Sequence, residues 1–225
     1  MFKKSPAITS YSQSGQDVFA YFVCGTDSGT YLDIGASNPI SANNSYGLER
    51  KGWTGITIDN CSDYAKQYVG VRRAPLTVLD MTKIDWEEFI ANNPILQNTV
   101  DYLSFDIDEA SLPVLRKFPF DKLRFRVMTV EHDAYRLGDR LRQEMRKILQ
   151  GAGYELIAAD VVVYYMWKEC PEAVALNGYL PFEDWYVRPE LVDMSIADKF
   201  RANSKLWSGI LVASLRRSRN VWTPL

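Results

Sequence analysis

Thr30-Tyr31-Leu32-Asp33-Ile34-Gly35 is the clearest strand in the chain: aromatic and β-branched residues around one acid, broken off by a glycine. Outward from it the pattern recurs. Residues 55–59, 76–79, 101–105, 126–130 and 154–158 read as further strands. Helical patterns separate them. One starts at Asn44 or Ser45, either of which can cap it, and stops at Gly52. Others span 85–91 and a short stretch around Leu112, Leu115 and Phe118. The last runs from Asp139 to Gln150, where Leu141, Met145, Ile148 and Leu149 share one face before Gly151. Its arginines read as a solvated outer face. Such alternation predicts an α/β fold built on a mainly parallel sheet. Without a linker or internal repeat, residues 1–225 read as one domain.

Composition bounds the function. A chain of 225 residues and 25.7 kDa builds a full core unaided. With 26 Lys plus Arg against 28 Asp plus Glu, no overall field draws it to phosphate backbones, so nucleic acid is not the expected partner. Cys24, Cys61 and Cys170 are far apart and outside any C-x-x-C spacing, so they read as reduced thiols of a cytoplasmic protein. No signal-peptide stretch follows Met1. The longest apolar run, Val161 to Trp167, is far short of the roughly 20 residues of a bilayer span, so no membrane partner is expected.

Acids stand at or just past the ends of five successive strands: Asp33, Asp59, Asp80, Asp106 and Glu131. In an open parallel sheet those ends share one edge, where ligands bind. The alternative for each position is that strand ends lead into loops, where Asp forms turns and caps helices. Gly35 lets backbone approach a ligand closely, but Ala36, Ser37, Asn38 and Pro39 follow it, so this is no G-x-G-x-x-G pyrophosphate turn and a dinucleotide is disfavoured. Asp59 is placed to accept hydrogen bonds from ribose hydroxyls. Asp80-Met81 is placed to flank adenine, by its carboxylate and its thioether. An acid-rich, phosphate-poor adenosine site suits a cationic sulfonium, and S-adenosylmethionine is the candidate; other nucleosides stay open.

Ser12-Gln13-Ser14-Gly15-Gln16-Asp17, Tyr31-Leu32-Asp33-Ile34-Gly35-Ala36, Asn44-Ser45-Tyr46-Gly47-Leu48-Glu49 and Gly52-Trp53-Thr54-Gly55-Ile56 occur in this order. Asp101 to Asp108, Val130-Glu131-His132-Asp133 and Pro181-Phe182-Glu183-Asp184-Trp185 continue it. Over about Ser12 to Val187 the sequence resembles the FkbM-type methyltransferases. The resemblance implies a Rossmann-like class I methyltransferase fold, a mainly parallel seven-stranded sheet with helices on both faces. It implies S-adenosylmethionine as methyl donor and a sugar or secondary-metabolite hydroxyl as acceptor. It divides the chain into a cofactor-covering segment (1–29), a core (30–187) and a C-terminal extension (188–225). Gln16 would close over a cofactor site of Asp33, Gly35, Ala36, Asn44, Ser45, Asp59, Asp80, Met81 and Asp106. The chain departs from the family in having Asp59-Asn60 where Glu-Pro is common, and Glu109 where a glycine commonly follows Asp106-Ile107-Asp108.

Methyl transfer is an in-line displacement governed by positioning. His132, the sole histidine, is the expected general base, with Asp106 and Asp108 facing the transfer. Asp106, Glu131 and His132, with Asp108 and Asp133 nearby, also have the donor types for a divalent magnesium or manganese ion. Tyr164 to Trp167, Tyr179, Phe182, Trp185 and Tyr186 would wall an acceptor pocket or, more simply, form core or a subunit contact. Arg216-Arg217-Ser218-Arg219 reads as a solvated tail. The expected partners are a small-molecule or glycan acceptor and a second copy in a homo-oligomer. Two rivals are a catalytically silent nucleoside-binding scaffold and an oxidoreductase, the latter opposed by the missing glycines.

Overall fold

The computed structural model describes residues 7–164, 175–176 and 178–201, with the backbone alone at Tyr164, 215–218 and 221–224. Tyr165, Met166, Trp167, Cys170 and Arg219 lie outside the described residues, as do the side chains of Tyr164, Arg216, Arg217 and Ser218.

The strands are β1 (Ile8–Thr9), β2 (Thr30–Ile34), β3 (Thr54–Asp59), β4 (Leu76–Val78), β5 (Val100–Phe105), β6 (Phe125–Glu131), β7 (Glu155–Tyr164), β8 (Tyr179–Val187), β9 (Leu215–Ser218) and β10 (Val221–Pro224). Seven of them form one sheet in the order β4-β3-β2-β5-β6-β8-β7; a small second sheet runs β1-β10-β9. From β4 to β6 every pairing is parallel, and β8 inserts antiparallel between β6 and β7. The order reverses at β2, whose neighbours β3 and β5 lead the chain in opposite directions, and a crevice forms at such a reversal.

Period-two alternation splits each central strand between two cores. Tyr31, Tyr102, Val127 and Trp185 face helix α1 (Gln16–Cys24). Leu32, Ile34, Leu103, Phe105, Met128 and Val130 face the other layer, which holds α4 (Trp86–Asn92), α5 (Ser111–Leu115) and α7 (Asp139–Gly151). Further helices are α2 (Tyr46–Lys51), α3 (Ser62–Tyr68), α6 (Ala134–Leu137) and α8 (Met194–Ala197). Among the described residues no helix is long and apolar enough to cross a membrane.

Three elements escape a periodicity reading. All nine residues of α1 are buried, so it has no polar face and no amphipathic stripe. α3 is short and buries only Tyr68. β8, with Glu183 and Asp184 inside, breaks the apolar pattern because those acids are paired internally. Phe182, Trp185 and Tyr186 are core residues, whereas Tyr179 is exposed.

Candidate functional site

Asp33, Asp59, Asp80, Asp106 and Glu131 all come to the carboxyl edge of the parallel strands. Their environments differ. Between the ends of β2, β3, β4 and β5 lies a cleft of about 430 Å³, within the roughly 300–1,000 Å³ common for small-molecule sites. Gly35, Asp59, Asp80, Met81, Asp106 and Asp108 all line it, with Ile58 and Leu79 adding apolar wall. Four carboxylates and no lysine or arginine stand in that lining. It favours a cationic or hydroxyl-rich guest over a phosphate.

Gly35 is irreplaceable on two counts. Its φ is +85°, and a Cβ there would stand 1.5 Å from the Asp106 carbonyl oxygen. The turn out of β2 therefore packs directly on the end of β5. Asp59 is held in place by two N–H donors, Ser37 at 2.9 Å and Cys61 at 2.8 Å. Asp80 caps the turn after β4, accepting from Thr82, and pairs with Lys83 at 2.8 Å. The Lys83 and Thr82 bonds hold its carboxyl down at about 2. Met81 is buried behind it.

The other predicted cofactor residues stand behind the wall. Asp33 is buried and accepts a 2.6 Å bond from the Ser45 hydroxyl; burial raises its pKa, opposed by Ser45 and Arg72. The Ala36 carbonyl accepts from Asn43 and Tyr68. Asn44 donates to Ser104, while its Oδ1 is buried without a partner. Gln16 is fully buried in the first turn of α1 beside Glu183, and its Oε1 accepts from the Ser14 N–H. Ser45 precedes α2, but Asn43 supplies the capping oxygen, accepting from the Ser45 and Tyr46 N–H groups. That leaves Ser45 free to hold Asp33.

At the opposite end of the cleft the Asp106 and Glu131 carboxyls hydrogen-bond each other. Burial, with like charges around it, pushes Asp106 up to about 6 and Glu131 well above the carboxylate range. Across the β6–β8 register Glu131 faces Glu183. Glu183 accepts from Trp185 Nε1 at 2.6 Å, and burial lifts it to about 8. Asp108 and Asp133 both have left-handed backbone, φ +50° and +47°. Arg136 of α6 reaches both, at 3.0 and 2.6 Å, and also Glu109.

His132 departs from expectation. The reading beside the Asp106 loop is corrected: Glu131 points with Asp106, so by strand alternation the next residue points to the opposite face. There His132 is buried, its Nδ1 accepting the Ala134 N–H at 3.0 Å. Its Nε2 lies 3.5 Å from both Asp160 and Asp184. Arg146 binds Asp184 twice at 2.7 Å and Asp160 at 2.9 Å, and Arg142 also binds Asp160. Burial works against the Asp184 carboxylate, but Arg146 and His132 outweigh it and hold its pKa well below the usual range. The expected metal set of Asp106, Glu131 and His132 is split between two groups whose donor atoms lie within 4.8 Å of one another: Asp108, Glu131 and Asp133 in one, His132, Asp160 and Asp184 in the other.

Sequence reasoning missed Arg136, Asn43 and Arg72. Arg72 sits in Val71-Arg72-Arg73, which reads as exposed charge, and Asn43 lies in a polar run where no single residue stands out. A second hollow of about 400 Å³, lined by Tyr135, Leu176, Pro181 and Arg142, lies beside α6. Tyr135 bonds to Asp133.

The profile of a family described as the methyltransferase FkbM domain matches residues 19–156. No curated protein matches the chain. Among solved structures, the chain is similar to an O-methyltransferase from Bacillus cereus in complex with SAH, at 14% identity and a TM-score of 0.49, over 80% of this chain and 83% of that one. It is similar to a SAM-dependent O-methyltransferase from Thermotoga maritima at 13% identity and 0.47, over 77% of this chain and 64% of that one. For the fibrillarin pre-rRNA processing protein of Methanococcus jannaschii the values are 12% and 0.47, over 72% and 67%.

Proposed function

Because the chain belongs to the FkbM methyltransferase family, a family of S-adenosylmethionine-dependent enzymes, we propose that it methylates an oxygen of a small-molecule or glycan acceptor, a sugar or secondary-metabolite hydroxyl. The observation that carries this reading is the cleft at the sheet's reversal point, lined by four carboxylates and no basic side chain. When bound, S-adenosylmethionine supplies an electrophilic methyl on a cationic sulfur. The lining suits it: Ile58, Leu79 and Met81 offer apolar surface for a base, and Asp59 offers lone pairs to ribose hydroxyls. Asn44 Oδ1, buried without a partner behind the wall, is a polar acceptor that the folded chain itself leaves unused.

In this reading Gly35, Asp59, Asp80 and Met81 hold the donor, with Ala36, Asn44, Ser45, Asp33 and Gln16 supporting them from behind. Asp106 and Asp108 face the transfer. The bond from acceptor oxygen to methyl forms as the sulfur–methyl bond breaks, and the hydroxyl proton passes to the Asp106–Glu131 pair, of which Asp106 lines the cleft. His132 is outside this scheme. Magnesium or manganese at Asp108, Glu131 and Asp133 is a second way to acidify the hydroxyl, and Arg136, bonded to two of those three, would have to give way to it.

Calorimetry with S-adenosylhomocysteine, followed by transfer of labelled methyl to a panel of sugars and metabolites, tests the reading. Micromolar binding and transfer to a hydroxyl are expected. Absence of binding overturns it, and binding without transfer to any acceptor makes the chain a silent nucleoside-binding scaffold. Turnover that survives chelation assigns the proton to the carboxyl pair; turnover lost to chelator and restored by one ion assigns it to the metal.

A further inference from the structure

Arg72 lies outside the cleft, in the connector between α3 and β4, with a side chain that is 0% exposed. Both terminal nitrogens of its guanidinium are engaged, while Nε is buried with an ion-pair contact and no hydrogen bond. Nη1 donates to the Pro39 carbonyl at 3.2 Å and to Asn43 Oδ1 at 3.1 Å; Nη2 donates to the Ser45 hydroxyl at 2.9 Å and to the Tyr31 hydroxyl at 3.2 Å. Nε lies 3.2 Å from Glu49, and the rings of Tyr46 and Tyr68 cover the plane at 5.5 and 5.4 Å.

Three of those acceptors, Pro39, Asn43 and Ser45, belong to the segment that joins β2 to α2. This segment has no regular secondary structure and three left-handed residues, Gly35, Ser37 and Ala42. Such backbone persists only where its surroundings over-determine it. Its near end is the cleft wall at Gly35 and Ser37. Two short routes join that wall to Arg72. Asn43 bonds both the guanidinium and the Ala36 carbonyl, and Tyr68, stacked on the guanidinium, bonds the same carbonyl. A third route, through Ser45, reaches Asp33 at the end of β2. Stability alone is a weak reason to retain such a group, since a buried ion pair roughly breaks even against a hydrophobic replacement. A planar fork that fixes one loop at several points is a geometric device.

We infer that Arg72 is a positioning residue for donor binding: it holds the Gly35–Ser37 wall against the Asp59 wall, so that the end of the donor remote from its base meets a preformed surface. This rests on the donor reading of the cleft.

The test is Arg72→Lys, which keeps the charge and loses the fork, with S-adenosylhomocysteine and adenosine titrated by calorimetry at a temperature where circular dichroism shows the variant folded. S-adenosylhomocysteine is expected to bind at least ~10-fold more weakly and adenosine to change less than ~3-fold, since preorganised contacts are lost on one wall only. Ser45→Ala, a milder change should Arg72→Lys fail to fold, is expected to weaken S-adenosylhomocysteine about 3-fold with adenosine unchanged, the scale of one lost hydrogen bond. Unchanged S-adenosylhomocysteine affinity in the folded variants overturns the inference, as does equal weakening of both ligands, which marks general loosening. Failure of the unmodified protein to bind S-adenosylhomocysteine would instead remove the donor reading itself.

Discussion

Two acid-rich regions meet on opposite faces at the end of β6 and differ in what answers their charge. In the cleft Asp59, Asp106 and Asp108 line a space that contains no basic side chain. Across the sheet Asp160 and Asp184 are bound by Arg142 and Arg146, with His132 buried between them. In the first set only Asp108 is answered by a base, Arg136, which stands outside the lining, and Asp59 and Asp106 have none; the second has spent its bonding capacity inside the fold. The residue types are the same, and the partners decide whether a carboxylate can serve a ligand or a fold. Glu131 and His132, adjacent in sequence, belong to opposite sides of this division because strand residues alternate faces.

The comparison breaks most readily at Gly35. Gly35→Ala places a methyl against the Asp106 carbonyl in a left-handed backbone, so S-adenosylhomocysteine affinity should fall by about a hundredfold or more, or the protein should fail to fold. Normal binding would mean that the wall between β2 and β5 is not where the donor sits. Asp184→Ala attacks the other region. It takes from Arg146 two of its bonds, leaving Asp160 alone to answer the charge, and should cost about 3 kcal/mol in urea unfolding while the folded fraction binds S-adenosylhomocysteine as before. His132→Gln should follow it with about 1–2 kcal/mol lost and turnover per folded molecule kept, since the buried polar contacts disturbed are those with Asp184 and the Ala134 N–H. A selective drop in turnover would return His132 to the chemistry.

The same division separates what was legible in the sequence from what was not. Strand ends are local: β2, β3, β5 and β6 announce themselves by β-branched runs that stop at an acid, and parallel pairing then puts Asp59, Asp80 and Asp106 around one cleft. The direction of a side chain at the end of a strand is also local in principle. The parity of Val127, Thr129 and Glu131 against Met128, Val130 and His132 already assigns His132 to the α7 face. Pairings across long sequence separations are a different matter. Arg72 with Ser45, Arg146 with Asp184 and Glu131 with Asp106 depend on topology, and an arginine bound for the interior looks like any surface arginine. For this reason β8 is not among the strands that the sequence marks, because its two buried acids break the apolar pattern until their partners are in place.

Asp59→Asn makes a smaller and cleaner change than those above. The amide keeps the shape but offers one oxygen where the Ser37 and Cys61 N–H groups use two, so S-adenosylhomocysteine should lose about tenfold in affinity and unfolding about 1–2 kcal/mol, the scale of one unmatched donor. Equal affinity would leave the ribose assignment without its main residue.

The smallest expected effect is the most discriminating, because it uses charge alone. Burial first, then neighbouring carboxylates, lifts Asp106 to about 6. Its proton is held below that pH and released above it, so the cleft gains negative charge as pH rises from about 5 to 7. S-adenosylmethionine carries a sulfonium and S-adenosylhomocysteine does not. The ratio of their affinities should therefore climb about 3- to 10-fold in favour of the cation over that interval, as expected for charges near a partly solvated surface, and stay flat in Asp106→Asn. Stability moves the opposite way. The native state holds a proton that the unfolded chain has already given up, so unfolding free energy falls as pH rises from the ordinary carboxylate range through about 6, and Asp106→Asn makes this slope shallower, leaving the share of Glu131 and Glu183, whose carboxyls are raised as well. A ratio that does not respond to pH while the stability slope remains would put Asp106 in the buried pair but out of sight of the sulfur. The acid-lined cleft would then owe its selectivity to Asp59 and Asp108, and the division between its two ends would shift toward β3.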